Sequence, residues 1–415
     1  MAMPFRLSLQ TLTLCFRLAS LIPFVSCADL TEGNYTFTTN DVGQATVTGL
    51  SASYSGSLFI PNTLGGAPVV AINGWTFHNR ANLTSVVIPE GVTAIGYNAF
   101  YQCSGLSSVS LPNTLTSLGY EAFRECTSLT SVVIPDSVNV IGDHAFESCS
   151  GLKTLIIGNG VTSISDSAFR NCGVLSVAIP NSVTSIGNSA FYNCPALTSI
   201  TVPNSVNAIG DFAFRSCSNL KTLTLGNGVT SIGNSAFAGC TALTSVILPD
   251  SVTSIGAWAF YDCSFLTTAT IPSGVTLLDY STFSDCYRLA SVYFKGDAPT
   301  FTSYVFNLAP ATIYYLPGTT GWGETFGDRP TAVWHLSYPV MLKGQHFGVH
   351  TNGFGFTISW ATTKTFVVEA RNSLQDPEWH PISTNTLVNG WSAFRDTDWA
   401  NHSSRFYRVV FPTGQ

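Results

Sequence analysis

Charged side chains are scarce in this chain. Asp, Glu, Lys and Arg make up 10% of its 415 residues, against about 25% in ordinary soluble domains. The basic residues are dispersed and no Lys/Arg cluster occurs, which argues against nucleic acid as a partner, since that needs a concentrated positive footprint. The net charge of -6 is too mild to single out any other partner. Long apolar runs are missing too. Beyond the N-terminal leader no stretch reaches the roughly 18 apolar residues of a membrane span. Signatures of chemistry are also lacking: there is no G-x-S-x-G, H-E-x-x-H, phosphate-binding loop or dinucleotide fingerprint. No catalytic residues, no cofactor and no metal site are therefore expected. His346 and His350 stand four apart, but HFGVHTNG reads as strand and turn rather than as a metal-holding helix.

What is present is a column of phenylalanines. Phe77, Phe100, Phe123, Phe146, Phe169, Phe191, Phe214, Phe237, Phe260, Phe283 and Phe306 follow one another at 23 residues, with one step of 22 from Phe169 to Phe191. Self-similarity at that period means a solenoid, in which each unit buries its apolar face only by stacking on its neighbours. Apolar residues make up 45% of the chain, ample for such a core.

One unit, from Leu129 to Ser150, shows the pattern. Leu129, Val132 and Ile134 are apolar, and Ser131 and Val133 alternate with the last two, as on a short strand with one buried face. Pro135-Asp136-Ser137 reads as a turn and Val138 to Ile141 as a second extended segment. Gly142 allows a sharp bend, and Asp143 reads as the N-cap of a single helical turn carrying Ala145 and Phe146. Asp166, Asn188, Asp211 and Asn234 recur at the cap place. The 22-residue step removes one residue between Cys172 and Val174, in a loop where no core column is disturbed.

The series L-x-x-V-x-I-P, V-x-x-I-G, A-F-x-x-C (here Leu129 to Pro135, Val138 to Gly142, Ala145-Phe146 to Cys149) resembles the BspA-like leucine-rich repeat. The resemblance covers about residues 68–306. It implies a leucine-rich-repeat solenoid of short parallel strands plus single helical turns. It also implies a secreted or surface-exposed protein associated with adhesion to proteins and cells. Gly158 and Gly226 depart from the pattern at the turn proline, and Ser165 and Asp279 at the glycine.

Nine of the eleven cysteines sit three residues after a ladder phenylalanine, from Cys103 to Cys286. Every one has the same neighbours on both sides, and pairing would leave one over. They read as unpaired thiols in the core.

The remaining segments divide the chain. Residues 1–28 read as a secretion signal, with Arg6 and Arg17 before an apolar stretch from Leu18 to Val25 and small residues at Ser26-Cys27-Ala28. Cys27 offers lipidation as the alternative. Residues 29–75 read as an N-terminal cap and degenerate first repeat, 76–306 as the repeats and 307–339 as a C-terminal cap or linker. Residues 340–415 carry alternating strands such as Phe354 to Trp360 and end in Arg405-Phe406-Tyr407-Arg408. They read as a small all-β, sandwich-like module. Six of the eight tryptophans lie after residue 320.

The exposed positions carry the functional expectation. On the strand they are bland Ser and Thr, such as Ser108, Ser110, Thr222 and Thr224. Around each phenylalanine they gather Tyr, Trp and Arg, the residues enriched at binding hot spots. The candidate partner-binding edge is Tyr97, Tyr101, Tyr120, Arg124, Arg170, Tyr192, Phe212, Arg215, Trp258, Tyr261 and Tyr280. The expected function is non-catalytic binding or adhesion to a protein partner outside the cytoplasm. Two alternatives stand beside it: a structural spacer of the envelope or matrix, and a glycan-binding protein acting through the tryptophan-rich tail.

Overall fold

The computed structural model describes residues 29–342, 347–360 and 363–412. The expected secretion signal, Cys27 and His346 lie outside these residues. The chain winds into a β-solenoid of about 12 turns, followed by a small all-β module.

Each turn contributes two strands to parallel ladders. In the unit described above, Ser131–Ile134 alternates exposed and buried residues. It pairs in register with Thr154–Ile157 of the next turn, Val132 opposite Leu155 and Ile134 opposite Ile157. Pro135 turns the chain, with Val138 N–H bonded to its carbonyl at 3.1 Å. The two-residue strand Val140–Ile141 then joins a second ladder, between Ser117–Leu118 and Ser163–Ile164.

The segment around phenylalanine differs from the expected helical turn. His144 (φ 57°) and Ser148 (φ 60°) are left-handed, and the bonds run from Ala145 to Gly142, Glu147 to His144 and Cys149 to Phe146, as in successive tight turns. Alternate amides point outward instead: His144, Phe146 and Ser148 donate to the carbonyls of Asp166, Ala168 and Arg170 in the next repeat. An α-helix would use those donors internally and leave the repeats unjoined, so stacking selects the turns. Among the described residues the only helical element is the 3₁₀ turn Trp399–Asn401.

The same logic corrects two residue roles. The Asp/Asn column does not cap helices. Its side-chain oxygens accept from the amide of the equivalent residue one repeat on: Asp166 from Asn188 at 2.7 Å, Asn188 from Asp211 at 2.8 Å, Asp211 from Asn234 at 2.7 Å. Gly142 has no positive φ. A Cβ there would lie 2.5 Å from the carbonyl carbon of Gly119, so glycine serves close approach between repeats. Asp211→Ala is expected to lower the unfolding free energy by about 1 kcal/mol, read from the urea midpoint.

The phenylalanines form one continuous stack. Adjacent ring centroids lie 4.9–5.8 Å apart, from Phe77 through Phe306. All eleven rings are buried. All nine ladder cysteines are buried and unpaired. Each thiol donates to the carbonyl of the phenylalanine in the preceding repeat, as in Cys194 to Phe169 at 3.2 Å and Cys217 to Phe191 at 3.2 Å. The thiol is thus a donor between repeats as well as a small core side chain. Surface hydroxyls act likewise: Thr116, Thr130, Thr230 and Thr267 donate to carbonyls of Thr93, Ser107, Asn207 and Thr244. That role accounts for a surface rich in Ser and Thr and poor in charge.

The 22-residue step is felt in the sheet. Thr154–Ile157 and Val177–Ala178 belong to separate sheets, joined by one bridge between Thr154 and Ser176. The core columns run on, with Phe169 and Phe191 stacked at 5.4 Å. The parallel ladder also continues past Phe306, through Thr312–Tyr315 and Arg329–Val333. Phe326 packs against Phe294, Phe301 and Phe306 and closes the last apolar edge. Two antiparallel strands, Tyr35–Thr39 and Ala45–Leu50, close the other end.

Beyond the solenoid, one sheet holds Val340–Leu342, Gly348–His350, Gly353–Ser359 and Trp391–Asp396. A second holds Thr365–Arg371, His380–Thr386 and Phe406–Val410. Phe356, Ile358, Phe366, Val368, Leu387 and Phe394 fill the space between them. His350 lies on a strand, with no group of three metal-ligating side chains found among the described residues.

Candidate functional site

The eleven residues of the candidate edge all fall on the turn side of the solenoid, in the positions flanking the phenylalanine stack. They separate into three stretches with different surroundings.

At the N-terminal end, Tyr97 and Tyr101 pack edge-on against Trp75, with centroids 6.3 and 6.0 Å away, and His78 does so at 5.2 Å. In the middle, the charged residues satisfy one another. Arg124 pairs with Glu121 at 2.5 Å, Glu147 at 3.2 Å and Glu125 at 3.7 Å. Arg170 approaches Glu147 at 3.7 Å, and His144 bonds it at 2.7 Å. The guanidinium of Arg124 lies over Tyr101, and that of Arg170 over Tyr192 at 4.7 Å. Burial pushes the Glu121 carboxyl up, but hydrogen bonds from Asn98, Arg124 and Tyr120 outweigh it and the net shift is downward. The bond to Glu121 in turn raises Tyr120. Tyr120, Arg124, Arg170 and Tyr192 are therefore engaged within the chain.

The third stretch is open. Phe212, Arg215, Trp258, Tyr261 and Tyr280 line one concavity of about 750 Å³, extended by Tyr304. Its origin lies in the repeat columns. Ser235 and Ser281 flank Trp258 in its column, and Ala238 and Ser284 flank Tyr261 in theirs. These small residues leave gaps between large rings. Trp258 and Tyr280 meet at 5.1 Å, and Tyr280 and Tyr304 at 5.6 Å, both edge to face. Arg215 lies over Phe212 at 5.6 Å. The Tyr261 hydroxyl is pushed up to about 12, first by its hydrogen bond to Asp285 and then by burial and the charges of Asp285 and Asp262. Burial and the Asp285 charge raise Asp262.

The backbone adds a further observation. Phe212 (φ 58°), Trp258 (φ 55°) and Tyr304 (φ 64°) are left-handed. In other repeats the same left-handed position holds the small residues Asn98, Ser167, Ser189, Ser235 and Ser281, and the larger Trp75, Glu121 and His144. A bulky residue there costs on the order of 1–3 kcal/mol, and strain of this kind clusters at functional sites.

Sequence reasoning missed Trp75, Tyr304, Asp262 and Asp285. Trp75 and Tyr304 stand two before a phenylalanine, in the column of Phe212 and Trp258, and extending that column to both ends would have found them. The strand face is also less bland than expected: Phe59, Val87, Val133, Ile156 and Ile247 are exposed on it.

The tryptophan-rich tail is mostly engaged in packing. Trp322 stacks on Tyr315, Trp334 packs on Tyr293 and Trp360 on Phe411. Trp379 sits between Arg371 at 4.4 Å and Arg408 at 4.8 Å. The terminal Arg-Phe-Tyr-Arg is structural: Arg405 and Tyr407 both reach the buried Asp396 at 2.8 Å, and Arg408 pairs with Glu369 at 2.6 Å. Burial, followed by the bond to Asp396, raises Tyr407. Trp391 remains exposed.

Comparison with known proteins gives a consistent picture. A model of the BspA type leucine rich repeat region matches residues 70–198 and 184–311, in six copies. A leucine rich cell surface protein from Faecalibacterium prausnitzii shares 28% identity over 67% of this chain and 97% of its own, with a TM-score of 0.36. A leucine-rich repeat protein from Bacteroides ovatus shares 25% over 69% and 94%, with a TM-score of 0.34. The leucine rich repeat protein of T. pallidum shares 28% over 52% and 90%, with a TM-score of 0.40. No curated protein matches the chain.

Proposed function

Because this chain belongs to the BspA-type leucine-rich repeat family, we propose that it is a non-catalytic adhesion or binding protein, acting outside the cytoplasm, that engages a protein partner through the concavity between Phe212 and Tyr304. The observation that carries the reading is the placing of Phe212, Trp258 and Tyr304 at left-handed positions around that concavity. Serine would fill those positions at lower conformational cost, and packing of the core does not call for the rings. Trp258, Tyr280 and Tyr304 are exposed, on hydrogen-bonded turns, at a site with small residues between them. Large rigid rings around gaps of side-chain size match the anatomy of protein hot spots.

The test compares the full chain with the variant carrying Trp258→Ser, Tyr261→Ser, Tyr280→Ser and Tyr304→Ser. Binding to a panel of purified extracellular-matrix proteins and to intact cells is measured by interferometry and flow cytometry. The variant is expected to keep its circular dichroism spectrum and to lose at least about tenfold in affinity for whatever the parent binds, the scale of a hot-spot loss. Undiminished binding by the variant would refute the assignment of the site.

A further inference from the structure

One end of the concavity, with Asp285 in its lining and Asp262 beside Tyr261 just outside it, carries a charge pattern that the same molecule completes elsewhere. Around Arg124, two columns of two successive repeats cooperate. Tyr101 lies under the guanidinium, with 5.8 Å from its ring centre to the guanidinium carbon. Glu125, one residue after the arginine, stands 3.7 Å from it. Gln102, in the column of Glu125 one repeat earlier, donates to Glu125 at 2.9 Å. The cation, the ring and the carboxylate are all supplied by the chain.

Seven repeats later the same columns read Tyr261 for Tyr101, Asp285 for Glu125, Asp262 for Gln102, and Ser284 for Arg124. The ring and this carboxylate are kept, whereas the closer partners of Arg124, Glu121 and Glu147, become Ser281 and Asn307. The arginine has become a serine, and the amide that could donate to the carboxylate has become a second carboxylate. Asp262 and Asp285 lie close enough to repel each other. Among the described residues no Lys, Arg or His forms an ion pair with either of them. Ser284 lines the concavity and is itself buried by its neighbours.

We infer that this end of the concavity receives an arginine side chain from the partner, its guanidinium stacked on Tyr261 and paired with Asp285 and Asp262, in the place that Arg124 occupies in its own repeat. The inference rests on the reading of the concavity as a protein-binding site and names the residue that the partner presents. A guanidinium suits the site better than an ammonium, because it stacks flat on an aromatic face while its edge serves two carboxylates. Trp258 and Tyr280 then hold the flanking backbone of the partner. The arginine is external here, so its pairing is available only on binding.

The experiment uses the full chain and a fluorescein-labelled Gly-Ser peptide with one central Arg. A matching peptide carries citrulline, which keeps the shape and removes the charge. Anisotropy is measured at low ionic strength, where the pairing is least screened. The arginine peptide is expected to bind about tenfold tighter than the citrulline peptide. Asp262→Asn with Asp285→Asn should abolish the difference. Ser284→Arg, which adds a cation to the column of Arg124, should abolish it too in protein whose circular dichroism spectrum matches the parent's. Equal binding of the two peptides by the parent overturns the inference, as does an arginine-peptide Kd weaker than about 1 mM. Retained discrimination in the Ser284→Arg variant overturns it as well. A Trp258→Ala arm separates the two levels. Binding lost there but indifferent to the carboxylates leaves the concavity as a binding site and removes the arginine. Binding indifferent to both removes the concavity. A neutral oligosaccharide such as maltotetraose bound by the parent, lost on Trp258→Ala and unaffected by the carboxylate changes, assigns the site to glycan instead.

Discussion

Phe191→Ala is expected to lower the unfolding free energy by about 3–5 kcal/mol, a large share of the stability of a typical domain. The ring is fully buried and stacks on Phe169 at 5.4 Å and Phe214 at 5.3 Å. Removing it takes away the transfer free energy of the ring and leaves a cavity between two rings held in place by their own neighbours. Those rings cannot close the gap. Each is fixed by a backbone amide bond to the next repeat, Phe169 N–H to the Ala190 carbonyl and Phe214 N–H to the Ala236 carbonyl. The cost therefore falls at the upper end of the range for large-to-small changes. In a solenoid, contacts are made only between neighbours, so the loss weakens two interfaces at once and favours unfolding in two pieces about the defect. Urea denaturation followed by circular dichroism checks this. A single transition shifted by less than the equivalent of about 1.5 kcal/mol would mean that the stack can collapse around a missing ring. Tyr192→Ala, one residue along on the surface, serves as the control and should change stability by less than about 1 kcal/mol.

The stack was legible in the sequence because a solenoid repeats its core at fixed spacing, so that Phe, Leu, Ile and Cys columns can be read without knowing any contact. The same spacing located the candidate edge. What could not be read was the local backbone. A single unit such as Gly142-Asp143-His144-Ala145-Phe146 looks like a capped helical turn, because Asp and Ala favour one. The decision between helix and paired turns lies with the next repeat, whose carbonyls at Asp166, Ala168 and Arg170 take alternate amides. Interactions between repeats also decide which exposed residues are free. Arg124 and Arg215 occupy the same column and look alike in the sequence. One sits among Glu121, Glu125 and Glu147, whereas the other lines an open concavity. The distinction depends on residues a full repeat away on either side, and the pattern that reveals it is the pairing of columns rather than any one column.

The cysteine column carries the largest expected effect, and it is a pH effect. Burial pushes the thiols of Cys103, Cys149, Cys194, Cys240 and Cys286 up to about 12. Cys126, Cys172, Cys217 and Cys263 are raised well above the ordinary value by burial, with further increments from their neighbours in the column. In the unfolded chain these thiols ionise near pH 9, so above that pH the folded state holds more protons than the unfolded one. The stabilisation is fully present below about pH 9 and is lost as the pH rises from there towards about 12. Each thiol contributes a slope of about 1.4 kcal/mol per pH unit in that window. Nine together remove on the order of 10 kcal/mol by about pH 10, comparable with the whole stability of many domains. Unfolding is therefore expected as a steep, cooperative transition near pH 10 in the presence of reductant, followed by circular dichroism. Tyrosines ionise in the same range, so a variant is needed to assign the transition. Cys172→Ser, Cys194→Ser and Cys217→Ser together keep a donor for the carbonyls of Phe146, Phe169 and Phe191 but remove three titrating groups. The variant should be less stable at pH 7 and show a shallower alkaline limb. A protein that keeps its spectrum at pH 11, or an alkaline slope that ignores the three replacements, would show that the thiols are not held neutral by the stack.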